Sequence, residues 1–273
     1  MGRLAHLVKL AKSPSLTFRA KYQVILIGAR REMRKLGLPP RATRWYEINL
    51  KSGTLFVPPG DVVGDVVIFN EVFLDESYES SYGNSVVIDL GGHRGYFGAY
   101  ALAMGAKRVY SFEPEPRNFE ILRRCADTFG ASGHEWIIEN SAVADRDGEA
   151  EFFVADESYN HSLHATEQEP GPGRTKVRVR SFAAILQGLD LKNRRVIAKL
   201  DIEGSECEVI LSSGAQWDQI DEVFMEFHEQ GRCSADELIE RLSNFGLTCI
   251  ARSLVRADRH FYRFSRRDSV SDS

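Results

Sequence analysis

A glycine-rich turn follows the apolar run 86–90, in which Asp89 is the last polar residue. Glycines permit tight turns and let a ligand lie against bare backbone. The spacing Asp-x-Gly-x-x-x-Gly differs from the Gly-x-Gly-x-x-Gly fingerprint that places a pyrophosphate on a helix N-terminus, so it favours a ligand without phosphate. The alternative is an ordinary structural turn. The turn supplies five candidate contacts to a cofactor, namely Asp89, Gly91, Gly92, His93 and Gly95.

A carboxylate follows the next apolar run, because residues 108–112 lead directly into Glu113 and Pro114. In open α/β sheets an acid at this position accepts hydrogen bonds from ribose hydroxyls. Alone, Glu113 would more often complement the dipole of the following helix. Since a glycine turn ends the preceding strand, we predict that Glu113 and Pro114 contact the ribose of an adenosyl ligand.

Four more ionisable residues lie at the ends of two later apolar runs: Asp201, Glu203, Glu226 and His228. Alternation of side chains puts each pair on one side of its strand. We expect Asp201 to position the cofactor or the acceptor, and His228 or Glu226 to act as a general base toward a hydroxyl group. The same four residues are candidate ligands for Mg²⁺ or another divalent ion. The alternative is that the acids only charge the next helix while the histidine is a loop residue.

Short apolar runs alternate with helical stretches from residue 85 onward, which indicates βαβ units around a parallel sheet buried on both faces. The fold class expected is therefore α/β and doubly wound. Strands are predicted at 86–90, 108–112, 136–139, 150–154, 177–180, 196–200, 222–227, 247–252 and 260–264. Helices are predicted at 95–104, 116–128, 182–189, 205–211 and 235–245.

The chain divides into four predicted segments. Residues 1–44 form a basic helical extension with helices at 3–11 and 18–36, and residues 45–81 contain a hairpin and a segment leading into the main domain. Residues 82–265 form the cofactor-binding catalytic domain, and 266–273 are a frayed tail. Within the domain, the polar stretch 155–176 is predicted to be a lid over the site, or else a disordered connector.

Charge is unevenly distributed along the chain. Residues 1–44 contain 11 lysines and arginines against one acid, Glu32, whereas the whole chain has a formal charge of −4. Such a segment could contact anionic lipid, RNA, an acidic partner or an oligomer mate, or it could be a solvated helical face. The acidic remainder makes nucleic acid an unlikely partner of the domain itself.

No run of about 18 consecutive apolar residues is present, so no transmembrane segment is expected. The four cysteines, Cys125, Cys207, Cys233 and Cys249, show no paired spacing typical of a zinc site, a redox pair or a disulfide framework. From this spacing we expect a reducing, cytoplasmic location.

Four stretches in order, 87–91, 111–116, 199–206 and 225–228, together resemble the FkbM family of methyltransferases. The resemblance implies a seven-stranded Rossmann-like class I methyltransferase fold, mostly parallel with an antiparallel last strand. It also implies S-adenosylmethionine as cofactor and methyl transfer to a hydroxyl group of a sugar or natural product. By the same resemblance, Ser141 and Ala142 lie near the adenine, and Phe97 joins the cofactor site. His93 departs from the Asn of many relatives, which puts in doubt how the turn meets the methionine part of the cofactor.

Two other functions compete with O-methylation of a small molecule. One keeps the cofactor but transfers the methyl group to nitrogen on a peptide or RNA; the chain lacks the Asn/Asp-Pro-Pro-aromatic element that often marks methylation of planar amino groups. The other is a binding protein that keeps the fold without turnover, since a fold does not prove activity. The acids at the strand ends favour an enzyme.

Overall fold

The computed structural model of the chain describes residues 9–13, 16–35, 45–59, 62–75, 77–154, 173–191, 193–229, 232–256 and 259–266. Among these residues no helix is both long and apolar enough to cross a membrane. The predicted helix over 3–11 is described only from residue 9 onward. Most of the predicted lid, residues 155–172, and the predicted tail after residue 266 lie outside the described residues.

Strands and helices alternate through the main domain as the sequence predicts. The strands are β1 (Tyr46–Asn49), β2 (Thr54–Val57), β3 (Val86–Leu90), β4 (Arg108–Phe112), β5 (Glu135–Glu139), β6 (Ala142–Ala144), β7 (Gly148–Val154), β8 (Gly173–Ser181), β9 (Val196–Leu200), β10 (Glu222–His228), β11 (Leu247–Arg256) and β12 (Arg259–Arg266). The helices are α1 (Phe18–Lys35), α2 (Val62–Phe73), α3 (Tyr96–Ala103), α4 (Pro116–Ala131), α5 (Phe182–Gly188), α6 (Glu206–Ser212) and α7 (Ala235–Ser243), and a short 3₁₀ helix spans Ala215–Gln219.

Seven strands form the central sheet in the order β11-β12-β10-β9-β3-β4-β5. The pairs β3/β4, β3/β9, β4/β5 and β9/β10 are parallel, whereas β12 is antiparallel to both of its neighbours. The predicted fold class is therefore confirmed, including the antiparallel last strand. Leu90 is level with Phe112 on one side and with Leu200 on the other, so the carboxyl ends of three strands meet at one edge.

Helices cover both faces of this sheet, because its central strands carry apolar residues on both sides. Val87 belongs to the core cluster that includes α1 to α4, whereas its neighbour Ile88 belongs to the cluster that includes α5 to α7. Local capping fixes where some helices begin. Glu115 caps α4 by accepting the Asn118 N–H at 2.6 Å, and α7 begins with a capping box formed by Ser234 and Glu237.

Two features were not predicted from the sequence. Helix α2 lies in the segment expected only to lead into the domain, and it packs between α1 and α3. Its buried residues Val66, Phe69 and Phe73 have helical spacing, which could have revealed it. The predicted strands over 150–154 and 177–180 exist as β7 and β8, but they form a separate three-stranded sheet with the unpredicted β6.

The expectation that the cysteines form no disulfide is wrong. Cys207 in α6 is bonded to Cys233, just before α7, with their Cα atoms 5.9 Å apart. The two cysteines are 26 residues apart in sequence, and this spacing matches no known disulfide motif. Their pairing depends instead on how α6 and α7 pack together. Disulfides are rare in reducing compartments, so the argument from cysteine spacing to a cytoplasmic location does not hold.

A buried ion pair joins α2 to the start of α3. Arg94 donates to Asp65 at 2.7 Å, and the Tyr96 hydroxyl donates to the other carboxylate oxygen of Asp65 at 2.8 Å. Both charged side chains are almost fully buried. Removing one partner of such a pair leaves the other charge buried without its counter-charge, which costs far more than losing an exposed pair.

We therefore expect Asp65→Ala to lower the free energy of unfolding by about 3–5 kcal/mol. Urea unfolding followed by circular dichroism would measure it. Asp75→Ala is the control, because its pair with Lys9 is partly exposed and should contribute about 1 kcal/mol or less. Equal losses in the two variants would contradict the importance assigned to the buried pair.

Candidate active site

A cavity of about 370 Å³ opens at the carboxyl ends of the central strands, with α2 forming one wall. In a doubly wound sheet ligands bind at this edge, where the strand order reverses. Here the reversal lies between β3 and its neighbours β4 and β9. The cavity is lined by most of the residues predicted for the site: Gly91, Gly92, His93, Phe97, Glu113, Pro114, Ser141, Ala142, Asp201, Glu203 and Glu226.

The glycine turn is shaped by close packing as well as by the cavity beside it. Gly91 has φ +82°, and a Cβ there would overlap the backbone carbonyl oxygen of Asp201. Gly95 has φ +90°, and a Cβ there would lie 2.9 Å from the Trp136 ring. Both positions therefore require glycine for backbone conformation and for lack of space. Gly95 packs against Trp136 and does not line the cavity; its predicted contact with a cofactor stays a prediction.

Glu113 is held in place by backbone donors. One carboxylate oxygen accepts the His93 N–H at 2.7 Å and the other accepts the Glu115 N–H at 2.9 Å. The Asn140 side chain donates to the Glu113 carbonyl oxygen at 2.7 Å. Burial raises the pKa of Glu113 to about 8, against the opposing effect of the two backbone hydrogen bonds. The Glu113 carboxyl group is thus held in one orientation at the cavity wall. Because it is buried, little water hydrates it, and the hydroxyl groups of a ligand would take the place of water as hydrogen-bond donors.

Asp89 lies behind the cavity wall and does not itself line the cavity; its predicted contact with a cofactor stays a prediction. Its fully buried carboxylate accepts a hydrogen bond from the Ser111 hydroxyl at 2.9 Å and lies 3.5 Å from the Lys199 ammonium. Lys199 in turn donates to the Gly91 carbonyl at 2.8 Å and lies 3.3 Å from the Asp201 carboxylate. Asp89 therefore supports the turn indirectly, through a lysine that sequence reasoning missed.

His228 is surrounded by carboxylates and does not line the cavity. Its Nε2 atom lies 3.1 Å from Glu203 and 3.6 Å from Glu226, and its Nδ1 atom lies 3.2 Å from Glu206. Burial disfavours the charged ring, but Glu203 and Glu206 outweigh it and raise the pKa of His228 to about 10. The raised pKa favours the protonated ring, which donates to the carboxylates around it; the role of His228 as general base stays a prediction.

Arg259 completes this cluster from β12. Its guanidinium lies 3.2 Å from the Glu226 carboxylate and 3.5 Å from that of Glu203. Glu203 has φ +51°, a conformation uncommon for a residue with a side chain. No sequence signal pointed to Arg259, because it comes from an antiparallel strand beyond the predicted motifs and reaches the site only through the pairing of β12 with β10.

Glu71 of α2 and Tyr78, which follows α2, also line the cavity, and sequence reasoning assigned neither to the site. Burial raises the pKa of Glu71 to about 7, and the nearby negative charges of Glu226 and Asp201 add to this effect. A carboxyl group that titrates near neutral pH can exchange a proton with a ligand. The helical spacing in α2 could have found Glu71, but its place in the cavity depends on the packing of α2.

Among the described residues, one group of side chains has donor atoms close enough to share a metal ion. The donor atoms of Asp201, Glu203 and His228 all lie within 4.8 Å of one another, which includes three of the four predicted ligands. Hydrogen bonding of the other His228 nitrogen to Glu206 is a common arrangement for metal-bound histidines. However, Lys199 and Arg259 already neutralise these carboxylates.

The sheet order with its antiparallel last strand, together with the position of the cavity, defines a class I methyltransferase domain. A family model described as "Methyltransferase FkbM domain" matches residues 89–247, which is more than half of the chain. The chain therefore belongs to the FkbM methyltransferase family. No match is found among the curated proteins.

Several solved structures are similar to this chain. The methyltransferase FkbM from Methylobacillus flagellatus KT is 18% identical over 72% of this chain and 47% of that chain, with a TM-score of 0.45. Magnesium protoporphyrin IX methyltransferase from Synechocystis PCC 6803, with bound SAM, is 11% identical over 75% of this chain and 81% of that chain, with a TM-score of 0.42. M. jannaschii TYW2 in complex with AdoMet is 10% identical over 84% and 89% of the two chains, also with a TM-score of 0.42.

The raised pKa values of Glu71 and Glu113 predict how stability depends on pH. A carboxyl group whose pKa is higher in the folded than in the unfolded state stabilises the fold most below its unfolded pKa, and this contribution is lost as pH rises through the folded pKa. For Glu71 this pH window runs from the ordinary pKa of 4.5 to about 7, and for Glu113 it runs from 4.5 to about 8. We therefore expect the Tm of the ligand-free protein to fall across this window.

Glu113→Gln should make this fall shallower, because an amide does not ionise. Differential scanning fluorimetry from pH 5 to 9 would measure the slope. Glu120→Gln is the matched control: Glu120 is exposed and its pKa is lowered through its hydrogen bond to Arg123, so it should leave the slope unchanged. A Glu113→Gln slope equal to that of the wild type would contradict the raised pKa.

Proposed function

We propose that the cavity binds S-adenosylmethionine and that the protein transfers its methyl group to a hydroxyl group of a sugar, a glycosylated metabolite or another natural product. The observation that carries the proposal is Glu113, a buried carboxylate oriented by two backbone N–H groups beside the glycine turn. Each oxygen keeps acceptor capacity for one hydroxyl of a ribose diol. This geometry suits an adenosyl group.

The charge of the cavity wall supports a cationic cofactor over a dinucleotide. Two cationic side chains, Lys199 and Arg259, face a larger number of carboxylates: Glu71, Glu113, Asp201, Glu203 and Glu226. A sulfonium centre bound here would stabilise the ionised forms of Glu71 and Glu113 and lower their raised pKa values, whereas a pyrophosphate would add negative charge beside them. The adenine is assigned to the wall formed by Ser141 and Ala142, and the remainder of the cofactor to the backbone of Gly91 and Gly92.

Methyl transfer requires alignment more than covalent chemistry. The acceptor oxygen forms a bond to the methyl carbon as the carbon–sulfur bond breaks, and sulfur leaves with the electron pair as the thioether of S-adenosylhomocysteine. The hydroxyl proton goes to a carboxylate of the cavity wall. Glu226, at the end of β10, takes this role in our proposal, and Asp201 positions the reacting groups. His228, as an imidazolium, holds Glu203 and Glu226 in place.

A divalent cation, if bound, would be held by Asp201, Glu203 and His228, where it would lower the pKa of the acceptor hydroxyl. The donor set contains a nitrogen, which suits transition metals better than Mg²⁺. Because Lys199 and Arg259 already neutralise the carboxylates, our proposal is that the protein needs no metal ion for turnover.

The cofactor assignment predicts that S-adenosylhomocysteine raises the Tm and that NAD does not. Glu113→Gln should weaken S-adenosylhomocysteine binding by about 10- to 100-fold, because the amide offers one acceptor oxygen in place of two and a buried donor left without an acceptor costs about 1–3 kcal/mol. Isothermal titration calorimetry would measure the affinity, with the exposed Glu120→Gln variant as control. Stabilisation by NAD alone, or unchanged affinity in Glu113→Gln, would overturn the assignment.

The proposed base predicts that Glu226→Gln lowers kcat by about 100-fold or more while S-adenosylhomocysteine affinity is kept. The measurement is transfer of a radiolabelled methyl group to a panel of hydroxylated acceptors. Glu71→Gln tests the second carboxylate that titrates near neutral pH. We expect turnover to continue in the presence of EDTA. Loss of activity with EDTA, and its recovery when metal is added back, would instead show that a metal ion assists the reaction. Full activity of Glu226→Gln would exclude it as the base.

A further inference from the structure

Helix α1 has two apolar faces, and only one of them is covered by the protein. Its inner face, with Ala20, Val24 and Ile27, is buried in the core cluster shared with α2 and β1. The opposite face carries a second apolar stripe with these exposed fractions: Phe18 88%, Tyr22 57%, Ile25 44% and Leu26 39%. The spacing of these four residues is that of one helical stripe with a 3.6-residue period.

This concentration of exposed apolar side chains is unusual within the described residues. Of the seven other large exposed hydrophobic residues, Ile250, Leu254 and Val255 lie on β11 and the remaining four come from separate segments, whereas the four in α1 lie on one face of one helix. Single exposed hydrophobic residues need no explanation, but contiguous apolar surfaces commonly mark interaction sites. We call the surface formed by Phe18, Tyr22, Ile25 and Leu26 the α1 stripe.

The charge beside the α1 stripe identifies the kind of surface that it fits. Arg19 and Lys21 come next to Phe18 and Tyr22 in sequence and leave the helix on opposite sides of the stripe, as the 100° rotation per residue requires. Arg19 is exposed, whereas Lys21 is half-buried and donates to the Ala11 carbonyl oxygen. The segment 1–44 has 11 lysines and arginines against one acid. The first turn of α1 contains no acidic residue. An apolar stripe bordered by basic residues is typical of helices that lie in the interface of an anionic membrane.

Other occupants of the stripe fit less well. In a two-fold dimer the same surface faces its own copy, so two segments of equal positive charge would be brought together. Nucleic acid would use the basic residues, but it would leave the aliphatic side chains of Ile25 and Leu26 without an apolar partner. An anionic bilayer satisfies both properties, because acyl chains accept the apolar stripe and headgroups accept the basic residues.

We propose that α1 docks the protein onto anionic membrane surfaces, with the α1 stripe inserted at the boundary between headgroups and acyl chains. Docking would place the cavity close to the bilayer, because α1 packs against α2 and α2 forms a wall of the cavity. The docking surface does not include any residue assigned to the cofactor or to the base. Membrane binding is therefore independent of the proposed methyl transfer.

Sedimentation of the full chain with vesicles tests the proposal. The vesicles contain either phosphatidylcholine alone or phosphatidylcholine with about one third phosphatidylglycerol. We expect sedimentation with the anionic vesicles only, and a decrease in bound protein at high salt because the headgroup attraction is screened. Equal binding to both vesicle types would overturn the role of the basic residues, and no binding to either would overturn the proposal.

Matched double variants test whether the stripe itself is responsible. Phe18→Ser with Ile25→Ser should weaken vesicle binding at least 10-fold. The control, Ile250→Ser with Leu254→Ser, removes two apolar side chains that are 49% and 66% exposed on β11, and it should bind like the wild type. Thermal melting checks that both variants are folded. Unchanged binding in the α1 variant, or equal losses in both variants, would contradict the proposal.

Two further measurements identify the competing occupants. The first measurement is sedimentation velocity, which detects a dimer. If the wild type dimerises without binding vesicles, and Phe18→Ser with Ile25→Ser abolishes the dimer, membrane docking is overturned in favour of self-association. The second measurement is RNA binding. If the wild type binds RNA but not vesicles, and Lys12→Glu with Arg19→Glu abolishes RNA binding, membrane docking is overturned in favour of a nucleic-acid partner. With vesicle binding present, the same charge reversals should reduce it several-fold.

Discussion

The burial of one ammonium group, that of Lys199, organises the edge of the sheet on which the candidate site is built. An isolated charge cannot remain in this interior, so it must be met by carboxylates and carbonyl oxygens. Asp89, Asp201 and the Gly91 carbonyl meet it from β3 and from the end of β9. Burial disfavours the charged lysine, but the two aspartates outweigh it and raise its pKa. The buried ammonium thereby holds the Gly91 carbonyl of the glycine turn in place.

A second group of charges extends this arrangement across the neighbouring strands. His228 and Arg259 bring positive charge to Glu203 and Glu226. Glu203, Glu226 and Arg259 line the cavity together with Asp201. The cations fix the orientation of the carboxylates, and burial raises the pKa values of Glu71 and Glu113 on the same wall. In our proposed function a cationic ligand is favoured because it would stabilise the ionised forms of these two acids. The ion pairs of Asp201, Glu203 and Glu226 weaken the case for a metal ion, since cations from the protein already neutralise these three carboxylates.

The helices of the amino-terminal half connect the site to the outer surface. Helix α2 contributes Glu71 to the cavity and Asp65 to the buried pair with Arg94, while α1 covers α2 and presents its own apolar stripe outward. Within the described part of the basic extension, α1 packs into the core through its inner face. The contact between α1 and α2 joins the proposed docking surface to a wall of the cavity. Membrane docking through α1 would therefore bring the candidate site close to the bilayer.

The sequence by itself determined the doubly wound fold, the strand ends and most of the cavity wall, from Gly91 and Glu113 to Asp201 and Glu226, because buried strands and glycine turns are local patterns. Tertiary structure decided the rest. It placed Asp89 behind the wall, surrounded His228 with three carboxylates and bonded Cys207 to Cys233, whose sequence spacing matches no known motif. It also brought Arg259 and Glu71 to the site from a strand and a helix outside the motifs. These outcomes depend on burial and on charges that are distant in sequence, which no local pattern of residues contains.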